Sequence, residues 1–92
     1  MEFEWDPNKA AQNLRKHQVS FAEAATVLGN DLGITVADPD HSVEEERYIT
    51  VGYSSRNRLL MVAHVSRRRR TRIVSARKLT RREREIYEET ER

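Results

Sequence analysis

Arginine is the residue of this chain with the most chemistry to offer. The window 56–82 holds eleven Lys or Arg side chains and no carboxylate, including four consecutive arginines, Arg67–Arg70, followed by Arg72 and Arg77. Guanidinium groups present fixed, charged donors that match phosphate oxygens. When the phosphodiester belongs to RNA, cleavage can be internal to the strand, with the 2′-hydroxyl attacking the adjacent phosphorus. A protein that promotes this must hold the strand, remove the 2′ proton, protonate the 5′ oxygen and balance the charge on phosphorus. Arg72 and Arg77 are the candidates for balancing that charge. In a straight strand their side chains would fall on opposite faces, Arg72 with Ala76 and Arg77 with Ile73.

Proton transfer needs other side chains. His17 follows Arg15 and Lys16, whose charges favour a neutral imidazole suited to accept a proton. Its plainer role is a helix C-terminal cap. His41 lies among Asp38, Asp40, Glu44 and Glu45, which favour the protonated form, and His64 sits in an apolar run as an ordinary sheet histidine. Tyr87, one helical turn after Glu83, offers a phenol as acid or a ring for stacking, with core packing as the alternative. Lys16, Arg67–Arg70, Lys78 and Arg81 are candidate RNA-backbone contacts.

Several chemistries are excluded or disfavoured. The chain has no cysteine, which removes disulfides, thiol catalysis and thiolate metal sites. Its three glycines build no phosphate-cradling loop. The histidines lack metal-ligand spacing, and the carboxylates are segregated from the cations, so neither a metal nor another cofactor is expected. The longest apolar run, Leu59–Ala63, is too short to span a membrane, and no signal segment is recognisable. A cytoplasmic location is expected.

Length and charge bound the rest. At 92 residues the chain is expected to form one domain, 1–92. Residues 1–55 carry four Lys or Arg against ten Asp or Glu, and residues 56–92 carry thirteen against five. The net charge of +2 conceals this polarity, which points to an anionic partner at one end.

The elements that must position these groups are legible locally. Phe3 and Trp5 alternate with Glu2 and Glu4 as a short strand. Asp6-Pro7 opens a helix that ends near Lys16-His17. Ser20 and Glu23 form a capping box for a second helix, stopped by Gly29. Strands follow at 33–37, 46–54, 59–65 and 71–77, with a hairpin loop at 54–57 and Arg67–Arg70 as a tight turn or continuing strand ends. Thr80 and Glu83 cap a last helix that runs to about Glu89. Its arginines lie first and its glutamates last, against the helix dipole, so an anion at its start would be welcome. The pattern predicts an α+β fold: a small antiparallel meander packed by two N-terminal helices and one C-terminal helix.

Three stretches in order, nearly the whole chain from Phe3 to Tyr87, carry a family resemblance. Phe3-Glu4-Trp5-Asp6 with Lys9, Asn13, Lys16-His17, Val19-Ser20-Phe21 and Glu23-Ala24 resembles the opening of the BrnT family. His41-Ser42 with Glu45-Glu46-Arg47, and Arg72-Ile73-Val74-Ser75-Ala76-Arg77 followed by Glu83 and Tyr87, resemble its middle and close. Gln18 stands where that family usually has Gly, Asn57 where a hairpin Gly is common, and Arg67–Arg70 exceeds the usual charge. The resemblance implies a toxin of a bacterial type II toxin–antitoxin pair with the fold of RelE-type ribonucleases. It also implies a BrnA-like ribbon-helix-helix antitoxin that neutralises the toxin and through which alone the pair meets operator DNA.

Two functions from different classes follow: a metal-independent endoribonuclease, and a basic module that binds nucleic acid without cutting it. A single-strand binder normally carries an aromatic stacking platform. Here Tyr48 and Tyr53 alternate to opposite strand faces and Phe3 and Trp5 lie far from the basic window, which favours the enzyme. A pure protein-interaction subunit is a third reading.

Overall fold

The computed structural model describes residues 2–38 and 46–90 of the chain. His41 and the turn expected at 38–40 fall, wholly or in part, outside them. The elements are β1 (Glu2–Glu4), α1 (Pro7–His17), α2 (Phe21–Leu28), β2 (Ile34–Ala37), β3 (Arg47–Tyr53), β4 (Leu59–Arg67), β5 (Arg70–Lys78) and α3 (Arg81–Thr90).

Local chemistry sets the boundaries. Asp6 is extended and its side chain accepts from the Asn8 amide at 3.1 Å, with Pro7 next, where no donor is missed. Gln18 ends α1 in the left-handed region, φ 56°, and its side-chain amide donates back to the Arg15 carbonyl. The Ser20 hydroxyl caps α2 by accepting from the Glu23 amide. The reciprocal half of that expected capping box is absent, because the Glu23 carboxylate turns away to Ser54 and Arg58. The box at Thr80 and Glu83 is complete in both directions.

β2 to β5 form the expected antiparallel meander, but the sheet as a whole is mixed. Its order is β1-β5-β4-β3-β2, and β1 lies parallel to β5, with Phe3 opposite Thr71. The wholly antiparallel expectation is thus corrected. Short loops dictate antiparallel neighbours, whereas β1 returns only after two helices and most of the sheet intervene.

α1 and α2 cover one face. Val19, Phe21, Ala24 and Val27 pack there on Leu60, Val62, Ile73 and Ala76, and Trp5 meets Phe21 edge to face at 6.1 Å. β1 reaches only as far along β5 as Arg72, which would leave the Ala76 peptide without a strand neighbour on the side away from β4. The buried Asn13 side chain takes that place. Its amide donates to Ala76 O at 2.8 Å and Val19 O at 2.9 Å, and its carbonyl accepts from Ala76 N at 3.1 Å. The same face holds His64, stacked on Tyr48 and bonded through Nε2 to the Thr50 hydroxyl, with its pKa lowered by burial. That is a satisfied sheet histidine.

Candidate functional site

Among the described residues, the opposite face of the sheet is covered only by α3 at one end, although Leu59 and Val65 on it are buried. Ala63 of β4 pairs with Ser75, yet the next residue, His64, pairs with Ile73, so Val74 is an extra residue on β5. This bulge reverses the alternation. Ile73 and Ala76 both reach the core, and their neighbours Arg72, Ser75 and Arg77 all project to the open face. The straight-strand reading, which separated Arg72 from Arg77, is corrected.

The two arginines still stand roughly 13–17 Å apart along β5, each beside a carboxylate. Arg72 Nη1 lies 3.2 Å from Glu4 Oε2, a partner delivered by the parallel strand β1. Arg70 meets Glu2 in the same way at 3.4 Å. The hairpin Arg67–Arg70 and these glutamates line a hollow of about 820 Å³. At its tip Arg68 takes φ 53°, a left-handed conformation unfavourable for an L side chain.

Arg77 is held more completely. Its Nη1 donates to Glu83 Oε1 at 2.8 Å and to the Lys78 carbonyl at 3.2 Å. Its Nη2 donates to Glu83 Oε2 at 2.9 Å and to Met61 Sδ at 3.3 Å. Glu83 Oε1 also accepts from the Thr80 amide at 2.9 Å. The guanidinium, then the backbone donor, hold the Glu83 carboxyl at about 2, and the carboxylate in turn raises the Arg77 pKa. Glu83 is also the anion that the reversed charges of α3 call for: it comes from the helix itself.

Beyond this pair, α3 leans over the sheet and leaves an apolar groove of about 360 Å³. Ile34, Val51 and Met61 form its floor, with Glu83, Ile86 and Tyr87 on its helical wall. Tyr87 meets Tyr53 edge to face at 6.5 Å. No residue of α3 is buried.

The open face therefore assembles Arg77 and Tyr87 at one end and the Arg67–Arg70 hairpin with Arg72 at the other. His17 and Lys16 end α1 on the covered side of the sheet. Lys78 shares the pleat of Ala76 and faces that side too, and Arg81 is exposed at the start of α3. Sequence reasoning named Glu83 only as a cap and missed it as the Arg77 partner. It also missed Ser75, which the bulge brings between the two arginines. Among the described residues, no group of three or more His, Asp or Glu side chains is placed to hold a metal.

A bulged basic strand under a loosely seated C-terminal helix, backed by two capped helices, defines a small α+β protein with a row of arginines along one face of its sheet. Residues 5–83 match the family described as ribonuclease toxin, BrnT, of type II toxin–antitoxin system, and the chain belongs to that family. Its fold is similar to a 1.1 Å crystal structure of the Brucella abortus ribonuclease toxin BrnT. The TM-score is 0.69 at 18% identity, over 88% of this chain and 99% of that one. No curated protein matches the sequence. Among the described residues no helix is long and apolar enough to cross a membrane.

Proposed function

We propose that this BrnT-family ribonuclease toxin is a metal-independent endoribonuclease of one RelE-like domain, residues 1–92, acting in the cytoplasm. The 2′-hydroxyl of the RNA is the nucleophile. Arg77 balances charge on the scissile phosphorus, Arg72, farther along the same strand, meets a neighbouring phosphate, and Arg67–Arg70, with Lys16, Lys78 and Arg81, hold the strand by its phosphates. His17, on the covered side, and Tyr87, on the open face, are the proton-transfer candidates. The observation that carries this reading is the bulge at Val74, which turns Arg72, Ser75 and Arg77 to one face. Guanidinium groups aligned along one strand suit a phosphodiester chain better than an isolated anion.

The partner we propose is a BrnA-like ribbon-helix-helix antitoxin that covers this face with Asp or Glu around an apolar anchor. Operator DNA is met only through it. The test is incubation with single-stranded RNA in EDTA, followed by mapping of the ends. Cleavage should persist and leave a cyclic phosphate, and the antitoxin should displace bound RNA. Activity abolished by EDTA and restored by Mg²⁺ would refute the mechanism, and a toxin–antitoxin complex that still cleaves normally would show that the antitoxin docks elsewhere.

A further inference from the structure

Internal cleavage of RNA requires an acceptor for the 2′ proton. His17 lies on the covered side of the sheet, across from Arg77 and Tyr87. The open face has a proton acceptor of its own. Resting on the ribonuclease reading, we infer that Glu83 is the general base of the cleavage reaction, and that the adjacent apolar groove seats the nucleobase of the nucleotide it deprotonates.

Three observations converge on Glu83. First, it is bound to the arginine that faces the scissile phosphate, so base and charge-balancing group are already adjacent. Second, its carboxylate has room for substrate. Two ionised oxygens offer roughly four acceptor positions. Here Oε1 accepts from Arg77 and the Thr80 amide and Oε2 accepts from Arg77, and the side chain is 31% exposed. A 2′-hydroxyl can therefore donate to Oε2 as a phosphate draws Arg77 away from the fork. Third, Glu83 lines the groove of about 360 Å³ together with Tyr87 and Met61. Such an apolar slot with one polar wall suits a flat base with its ribose at the mouth.

The chemistry balances. Glu83 Oε2 takes the 2′-hydroxyl proton as the O2′–P bond forms. The P–O5′ bond breaks, and the 5′ oxygen takes a proton from the Tyr87 phenol. The products are a 2′,3′-cyclic phosphate and a 5′-hydroxyl. Glu83 then gives up its proton as Tyr87 regains one, through solvent. Substrate binding also prepares the base. A carboxylate locked to Arg77 is a weak proton acceptor. A phosphate that draws the Nη donors of Arg77 removes the main cause of that weakness, and Glu83 moves back toward an ordinary carboxylate.

The test is cleavage of a short single-stranded RNA in EDTA by the full chain, with kcat and KM measured separately. Glu83→Gln keeps one acceptor oxygen for the Thr80 amide and Arg77 Nη1, loses the bond from Nη2, and cannot accept the proton. Because α3 carries no buried residue, the core is untouched. Glu83→Gln should lower kcat by about 10²–10⁴-fold and move KM by less than about threefold. Glu83→Asp, which keeps a carboxylate, should retain more activity than Glu83→Gln. Added formate should restore part of the activity of Glu83→Ala, which a merely structural role would not allow. Glu83→Gln that cleaves at the wild-type rate while His17→Ala does not would overturn the assignment in favour of His17. Wild-type protein that leaves RNA uncut would overturn the ribonuclease reading itself, a distinct result.

Discussion

Two Arg–Glu forks hold this molecule, one beneath α2 and one beneath α3, and they share almost every chemical feature except their surroundings. In the first, both nitrogens of the Arg58 fork grip Glu23, whose side chain is only 4% exposed. Ser54 donates to the same carboxylate at 2.6 Å, and Arg58 Nη2 reaches the Gln18 carbonyl, so the pair ties the end of α1, the start of α2 and the β3–β4 hairpin together. In the second, Arg77 grips Glu83, both about a third exposed, and the helix it anchors buries nothing. Each carboxyl sits at about 2, held there first by its arginine. The difference is what happens when the fork opens. A buried carboxylate stripped of its partner has no water to turn to, whereas a half-exposed one does. The first fork is therefore a fastening, and the second is exposed enough to open, as the proposed exchange with a phosphate and a 2′-hydroxyl requires.

Removing one side of each fork tests that contrast most severely. Arg58→Ala leaves Glu23 charged and enclosed, and should cost about 3–5 kcal/mol in urea denaturation. Glu83→Ala should cost about 1 kcal/mol or less, mostly the loss of a helix cap. Equal losses at the two sites would erase the distinction between fastening and exchangeable pair.

Acid sharpens the same comparison. A carboxyl whose folded pKa is depressed contributes stability that is fully present above its unfolded value and lost as pH falls through its folded one. For Glu23 that window runs from 4.5 down to about 2, and the shift corresponds to roughly 3 kcal/mol. Glu83 titrates over the same range but contributes less, since solvent screens it. The urea midpoint of the wild type should therefore fall steeply between about pH 5 and pH 2. Glu23→Gln should start lower and fall less, while Glu83→Gln should keep nearly the wild-type slope. A Glu23→Gln curve parallel to the wild type would show that other groups govern the acid limb.

The sequence made the elements legible because their signals are local. Asp6-Pro7, Ser20, Asn57 and the Thr80–Glu83 box each act within a few residues, and each boundary fell where they placed it. The β1–β5 pairing was not legible, because it joins segments 68 residues apart in register. The Glu23–Arg58 fork was illegible for the same reason, while Arg77 and Glu83 are only six residues apart and the capping role of Glu83 concealed their pairing. The acid-free window looked like free positive charge. In the structure glutamates from outside it reach in, Glu23 to Arg58, Glu2 to Arg70 and Glu4 to Arg72. For the candidate site, the residue types at Arg72, Arg77 and Tyr87 were apparent. Their common face was not, because one inserted residue at Val74 reverses the parity that strand reasoning relies on.

The hairpin tip supplies the smallest of these effects, and it marks the region where neither kind of fork operates. Arg68 and Arg69 form the two-residue turn that joins β4 to β5, both exposed, with Arg67 opposite Arg70 at the base. A left-handed φ of 53° at Arg68 is the position that Gly or Asn fills most cheaply. A long cationic side chain there is a local cost of roughly 1 kcal/mol, which no contact within the turn offsets and which a phosphate outside it would. Arg68→Gly should accordingly raise stability in urea by about 0.5–1 kcal/mol. The same change should weaken binding to single-stranded RNA of any sequence and reduce the salt slope by roughly 0.7. Arg68→Asn, which tolerates the left-handed backbone and lacks the charge, should reproduce the loss of binding. The opposed signs of the two effects separate a phosphate contact from a merely strained turn. If both variants gain stability and keep the wild-type affinity and salt slope, the tip is a solvated turn. RNA contact would then rest on Arg72 and Arg77, the arginines whose carboxylate partners must yield to it.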